Sequence, residues 1–375
     1  MISTKDAFLT GASICAMFFG SGNIVLPLLI GQQYANNWVS GYFGFVVGAV
    51  LIPILGLISI SLKKGNSDEF FGCLSKFKLG FLIIPLQLFL LAIIGPFGIT
   101  PRCLAVAFGG FKAICPSGSD YIFYFVMAAL LYFVTCKKDQ IMPIIGKILT
   151  PPKLGLLIGV VIFCLLFIPE GSHIVSKTAS TSDVLLYGLI SGYQTTDLIG
   201  SIFYGTIILD YIRRKNPTAD IDKKALLSFG IRASIFGSFF LMLLYLGFLL
   251  MGVFYNNSIQ GLLPEDLFPV IARECMGNNI SIVVGVTIIV SCFTTAVGLL
   301  SAWTMFITNL LNKVFKVSYN AVLLISVVLT YFLSLLGLQS ILDLLEPILT
   351  WVYLILILMM LYNLTKDLKG INNGK

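Results

Sequence analysis

Phe18-Phe19-Gly20-Ser21-Gly22-Asn23-Ile24-Val25-Leu26-Pro27 is the stretch on which the reading of this chain turns. It lies inside an apolar run, residues 7–31, and about 20 apolar residues suffice for a helix to cross bilayer hydrocarbon. Glycines, a serine and an asparagine in mid-run break that helix at membrane depth. Freed backbone groups are tolerated there only where protein or a ligand satisfies them. N–H groups at a half-helix N-terminus attract a carboxylate, and carbonyls at a half-helix C-terminus attract a cation. Gly20 and Gly22 permit the backbone angles and the close approach, and Asn23 adds a side-chain oxygen.

The rest of the chain supplies the membrane context. Of 375 residues, 58% are hydrophobic and 11% charged, and mean hydropathy is +0.98. Soluble globular chains carry about 25% charged residues, so a water-facing surface cannot be built from this composition. Ten apolar runs predict ten helical spans: 7–31, 38–62, 79–100, 121–136, 154–169, 184–211, 226–254, 280–309, 319–336 and 347–365. The runs lack the alternation of a transmembrane barrel, so the fold class is an all-α membrane protein. The first run has no small-residue cleavage site behind it and reads as a retained span rather than a signal peptide.

The net charge of +7 follows membrane topology rather than a nucleic-acid partner. With the N-terminus inside, 20 of the 24 basic residues fall on the cytoplasmic side. They are Lys5, Lys63, Lys64, Lys76, Lys78, Lys137, Lys138, Lys147, Lys153, Arg213, Arg214, Lys215, Lys223, Lys224, Arg232, Lys313, Lys316 and the three C-terminal lysines. Lys112, Lys177 and Arg273 fall outside, and Arg102 lies near or within a span. The expected location is a plasma (inner) membrane, multi-pass, with both termini cytoplasmic.

Both halves of the chain, residues 1–170 and 171–375, open on an interrupted span. In the second half the interruption is Gly192-Tyr193-Gln194-Thr195-Thr196-Asp197. A repeat of five spans must place its second copy upside down, and paired interruptions in inverted halves point to a transporter site at the midplane. Close packing is the competing explanation for the glycines, since Gly44/Gly48 and Gly188/Gly192 form GxxxG pairs. Packing alone gives no reason for Asn23 and Asp197 at membrane depth. In the eighth span, Ser291-Cys292-Phe293-Thr294-Thr295 offers two adjacent hydroxyls, either cation donors or helix back-bonders. Asp197 in mid-span and Arg102 are candidate gating or coupling groups, which could pair across a cavity; Arg102 could equally lie at the outer headgroups without a special role. The eight cysteines form no CxxC, and His173 sits in a polar loop without metal spacing. A Cys115–Cys275 bridge stays open. No enzyme motif stands out, so the chain reads as a non-enzyme without a cofactor beyond a coupling ion.

Four motifs in order, FFGSGNIVLPLLIG, GPFGITPR, SGYQTTDLIGSIFYG and CFTTAVGL, resemble the branched-chain amino acid:cation symporter family (BrnQ) over nearly the whole chain. The family is thought to share the LeuT-like five-plus-five inverted-repeat fold, with helices 1 and 6 broken. The resemblance implies uptake of leucine, isoleucine and valine with Na+ or H+. It implies that Gly20, Ser21, Gly22 and Asn23, and more loosely Gly192, Tyr193, Thr195 and Thr196, bind the substrate, with the Ser21 and Gly22 amides on its carboxylate. It implies a sodium site from the carbonyls of Ala16, Phe19 and Ser291 with the hydroxyls of Thr294 and Thr295. Phe18 and Asn23 would serve a second ion. Family members typically continue beyond the tenth span, where this chain has a polar tail. The expected partners are a small amino acid and the lipid bilayer, with no nucleic acid, in a monomer or weak homo-oligomer. A same-fold permease for a purine or another amino acid is the first alternative and a non-transporting scaffold the second.

Overall fold

The computed structural model describes residues 4–63, 65–136, 150–168, 176–203 and 223–372. Among the described residues every regular element is helical. Five helices are long and apolar enough to cross a bilayer: Ala35–Leu62, Gly80–Ile114, Ser228–Phe254, Ile282–Leu311 and Leu338–Lys369. Three shorter apolar helices, Asp120–Thr135, Lys153–Leu166 and Tyr319–Ser334, join them. Two broken helices complete the expected ten spans. The first is Thr4–Phe18 (span 1a) and Ser21–Gln33 (span 1b). The second is Thr181–Gln194 (span 6a) followed by helical residues 197–203 (span 6b).

The outer surface is apolar enough to face lipid. Ile122, Phe125, Phe133, Ile325, Phe332, Trp351 and Leu358 are 60–70% exposed, an apolar belt on spans 4, 9 and 10 that water would not tolerate at this size. Polar side chains instead run through the interior.

Helix contacts exchange as an inverted repeat requires. Span 1 packs on span 7 (Lys223–Phe254) and span 6 on span 2. Span 5 (Thr150–Leu166) packs on span 8 (Leu267–Leu311), and span 10 (Leu338–Asn372) on span 3. Swapping 1 with 6, 2 with 7, 3 with 8 and 5 with 10 maps each contact onto its partner. The 170/171 boundary falls in residues 169–175, outside the described residues, as do His173, Lys64, Lys137, Lys138, Lys147, Arg213, Arg214, Lys215 and Lys375.

Span ends carry local signals. The Asn66 side chain accepts from the Asp68 and Glu69 N–H groups, Ser180 from Asp183 and Ser318 from Ala321, satisfying first-turn donors that have no helical partner. Two spans differ from their expected bounds. The third does not end near residue 100 but breaks at Gly95–Gly98 and continues as Ile99–Ile114 (span 3b). The eighth is preceded by a helical stretch that joins it through a kink at Gly277, φ 75°.

The GxxxG pairs meet each other. A Cβ on Gly192 would fall 2.7 Å from Gly48 Cα, and one on Gly188 2.2 Å from the Gly41 carbonyl oxygen. The π-helical turn Val47–Leu51 lies at this crossing. Gly192 therefore serves close helix packing rather than facing the break. All eight cysteines are free thiols. Cys115 and Cys275 are among them, so the bridge left open between them is not formed.

Candidate solute and cation site

Span 1a ends where Phe19 N–H donates to the Cys15 carbonyl at 2.9 Å, and Gly20 takes an extended conformation. Asn23 folds back from the first turn of span 1b, its Oδ1 accepting from Gly20 N–H at 2.9 Å. That bond holds the break open to its surroundings, leaving the N–H groups of the turn aimed away from the helix. In the second break, Thr196 adopts φ 63°, a left-handed backbone that costs a β-branched residue energy and marks a constrained position. Thr195 Oγ1 donates to the Gly192 carbonyl at 2.8 Å and Thr196 Oγ1 to the Thr195 carbonyl at 2.6 Å.

Two side chains tie the breaks together. Asn23 Nδ2 donates to Asp197 Oδ2 at 2.8 Å and also to the Tyr245 hydroxyl of span 7. Arg102 of span 3b donates from Nε to Ser21 Oγ at 3.3 Å and from Nη1 to the Gln194 carbonyl at 2.5 Å. Both charges are at least 95% buried. Among the described residues Arg102 and Asp197 form no ion pair with each other. Each instead binds polar groups of both breaks.

A cavity of about 20 Å³ lies between the breaks, lined among others by Phe18, Ser21, Ile99, Arg102, Asp197 and Leu299. A cavity of that size holds roughly one water. Gly20, Asn23, Thr195, Thr196 and Thr295 also line it. Gly22 stands directly behind, where a Cβ would fall 2.6 Å from Arg102 Nη2. Gly192 and Tyr193 lie apart from it. Tyr193 stacks on Tyr353, ring centroids 4.8 Å apart.

The groups expected to hold sodium converge, but with an occupant of their own. Lys153 of span 5 is 3% exposed. Its Nζ donates to the Phe19 carbonyl at 2.6 Å and lies 3.5 Å from the Ser291 carbonyl. Thr294 and Thr295 hydroxyls donate to the same Ser291 carbonyl at 2.9 and 3.1 Å. Thr295 also packs on the first break, its Cγ2 3.1 Å from a Cβ position on Gly20. The backbone of Ala16 lies in the last turn of span 1a. For the second ion, Asn23 Oδ1 already accepts from Gly20, and Phe18 lines the cavity. A sodium ion shared by the Phe19 and Ser291 oxygens would sit beside the Lys153 ammonium. At about 4 Å two unit positive charges repel by ~4 kcal/mol even at an effective dielectric near 20. This donor set fits an ammonium and does not fit an ammonium plus a metal ion.

Lys153 and Tyr245 are the site residues that sequence reasoning missed. Lys153 stands at the start of an apolar run, where a lysine ordinarily marks the cytoplasmic headgroups. Its burial corrects that placement. Tyr245 offers only a lone phenol in an otherwise apolar span.

An apolar-belted helical bundle, with two broken helices meeting over a charged, buried cleft, defines a membrane transporter of the broken-helix, inverted-repeat class. The chain belongs to the branched-chain amino acid transport protein family, whose model matches residues 3–373. It is 27% identical to the branched-chain amino acid permease BraB of Bacillus subtilis (strain 168), covering 94% of this chain and 78% of that protein. It is 29% identical to the branched-chain amino acid permease BrnQ of Haemophilus influenzae, covering 99% and 84%. Among solved structures it is similar to Mhp1, a nucleobase-cation-symport-1 family transporter in a closed conformation with bromovinylhydantoin bound. The TM-score is 0.54 at 12% identity, over 92% of this chain and 76% of that one, a likeness of fold alone.

Proposed function

We propose that this chain imports leucine, isoleucine and valine across the plasma membrane by alternating access, driven by a cation gradient. The observation that carries the reading is the placing of Arg102 and Asp197 on one cavity between two helix breaks. An amino acid is a zwitterion and needs both signs. Its carboxylate suits the first-turn N–H groups of span 1b, at Ser21 and Gly22, with the Arg102 guanidinium beside them. Its ammonium suits Asp197, and the apolar side chain suits Phe18, Ile99 and Leu299.

Leucine is larger than the cavity, so entry requires the helices around the breaks to part. The ties that must rearrange are Asn23 to Asp197 and Arg102 to Gln194, because each joins span 1b or 3b to span 6. Substrate that replaces these contacts compensates their loss, and closure around it carries the site from one side to the other.

The test is uptake of labelled leucine into proteoliposomes, with unlabelled competitors. Isoleucine and valine should compete at concentrations similar to leucine, and phenylalanine and purines should not. Equal or stronger competition by a purine would mean a same-fold permease for another solute. Leucine uptake that never exceeds equilibration under either a sodium or a proton gradient would remove the coupling.

A further inference from the structure

We propose that the Lys153 ammonium is a built-in cation at the crossing of spans 1, 5 and 8, so that this transporter folds and binds its solute without sodium at that seat. The inference rests on the amino-acid reading above only for its solute. The seat itself is defined by geometry.

Three observations converge. Phe19 follows the last residue of span 1a and lies in the break, where its carbonyl accepts from Lys153 instead of from a helical N–H. Ser291 lies within span 8, and its carbonyl gathers the Thr294 and Thr295 hydroxyls as well as the lysine. Lys153 crosses from span 5 to reach both carbonyls, and is itself almost fully buried. A buried charge survives only where oxygen donors replace its hydration. The two carbonyls do so here, and the lysine in turn joins the helix that breaks to the helices beside it.

A metal ion and a tethered ammonium satisfy the same electrostatic need, namely positive charge at the C-terminal end of span 1a. They differ in one consequence. A diffusible ion makes stability and solute affinity depend on its concentration; a side chain does not. Removing the side chain should restore that dependence, since the carbonyls would remain with space between them.

The experiment compares the purified full-length protein with Lys153→Ala and Lys153→Gln, each in sodium chloride and in choline chloride at equal ionic strength. Melting temperature is read without solute, and labelled leucine binding is read separately. The expected result is a parent whose melting temperature and leucine Kd agree in the two salts, the Kd within about twofold. Lys153→Ala should melt lower than the parent in choline, be raised by sodium in a saturable way, and bind leucine about tenfold or more tightly with sodium than without. Lys153→Gln, which keeps a polar chain in the seat, should respond less. A parent stabilised by sodium, with a leucine Kd at least tenfold weaker in choline, overturns the proposal even if neither variant folds. So does a folded Lys153→Ala protein indifferent to sodium. If the melting results appear as expected but the parent binds none of leucine, isoleucine and valine in either salt, the seat stands and the amino-acid reading falls.

Discussion

At the residue scale, the contrast between two glycines separates binding from packing. A methyl on Gly22 meets the movable end of Arg102, so it displaces the guanidinium without forcing backbones apart. We predict that Gly22→Ala keeps its melting temperature and weakens leucine binding about 5- to 150-fold, the range equivalent to the ~1–3 kcal/mol of local overpacking. Scintillation binding on purified protein checks this. Leucinol, which lacks the carboxylate, should compete poorly with leucine. Competition at leucine's own concentration would take the carboxylate away from the Ser21–Gly22 turn. Asp197→Asn keeps the shape and a hydrogen-bonding partner for Tyr245 but removes the negative charge. It should lower leucine affinity at least about tenfold, since hydrogen bonds to charged groups contribute roughly 1.5–3 kcal/mol. Unaltered affinity would show that the solute ammonium is bound elsewhere.

At the element scale, Gly192 behaves oppositely to Gly22. Its neighbour is the Gly48 backbone, which cannot swing aside. Gly192→Ala should therefore lower stability by about 1–3 kcal/mol, seen as a lower melting temperature in detergent. Any loss of leucine affinity should follow only from unfolded protein. The turn Pro264–Asp266 ahead of span 8 offers a pH test outside the membrane. Burial, with the negative Asp266 adding to it, raises the Glu265 carboxyl above its ordinary 4.5, and Lys112 only partly opposes the shift. A raised folded-state pKa means the folded protein holds this proton more tightly than the unfolded chain. Its contribution is fully present below pH 4.5 and is lost as pH rises through the folded value. Glu265→Gln should therefore gain melting temperature relative to the parent at neutral pH, with the gain shrinking as pH is lowered toward 4.5. A gain of equal size at every pH would leave burial of the charge without a role.

At the scale of the whole molecule, ion pairs agree with one sidedness. Lys63 at the end of span 2 pairs with Asp367 at the end of span 10, at 2.9 Å. On the opposite side Lys112 pairs with Asp266 at 3.2 Å. If both termini are cytoplasmic, a cysteine placed at Lys369 should react with an impermeant maleimide only after the membrane is opened. One at Lys177 should react in intact cells. Finding Lys369→Cys and the N-terminus on opposite sides would mean an odd error in the span count, and the inverted-repeat argument would fail with it.

Composition alone determined that this chain lives in a bilayer, because 11% charged residues cannot solvate a surface. The breaks at Gly20 and Thr195–Thr196 were also legible, since polar residues at membrane depth need a reason that does not depend on neighbours. The Ser291–Thr295 cluster was legible as a set of oxygens but not as to what they bind. Tertiary structure decided that. Gly192 looks like Gly22 in sequence, and only the helix it meets, at Gly48, assigns it to packing. Arg102 and Asp197 invite pairing, yet Arg102 reaches Ser21 and the Gln194 carbonyl while Asp197 accepts from the Asn23 amide. Lys153 is the plainest case. Charge counting along a chain places a lysine before an apolar run at the headgroups, because the count knows only distance in sequence. Its four-carbon stem instead carries the ammonium inward to carbonyls 134 and 138 residues away, a distance in space that no spacing along the chain records.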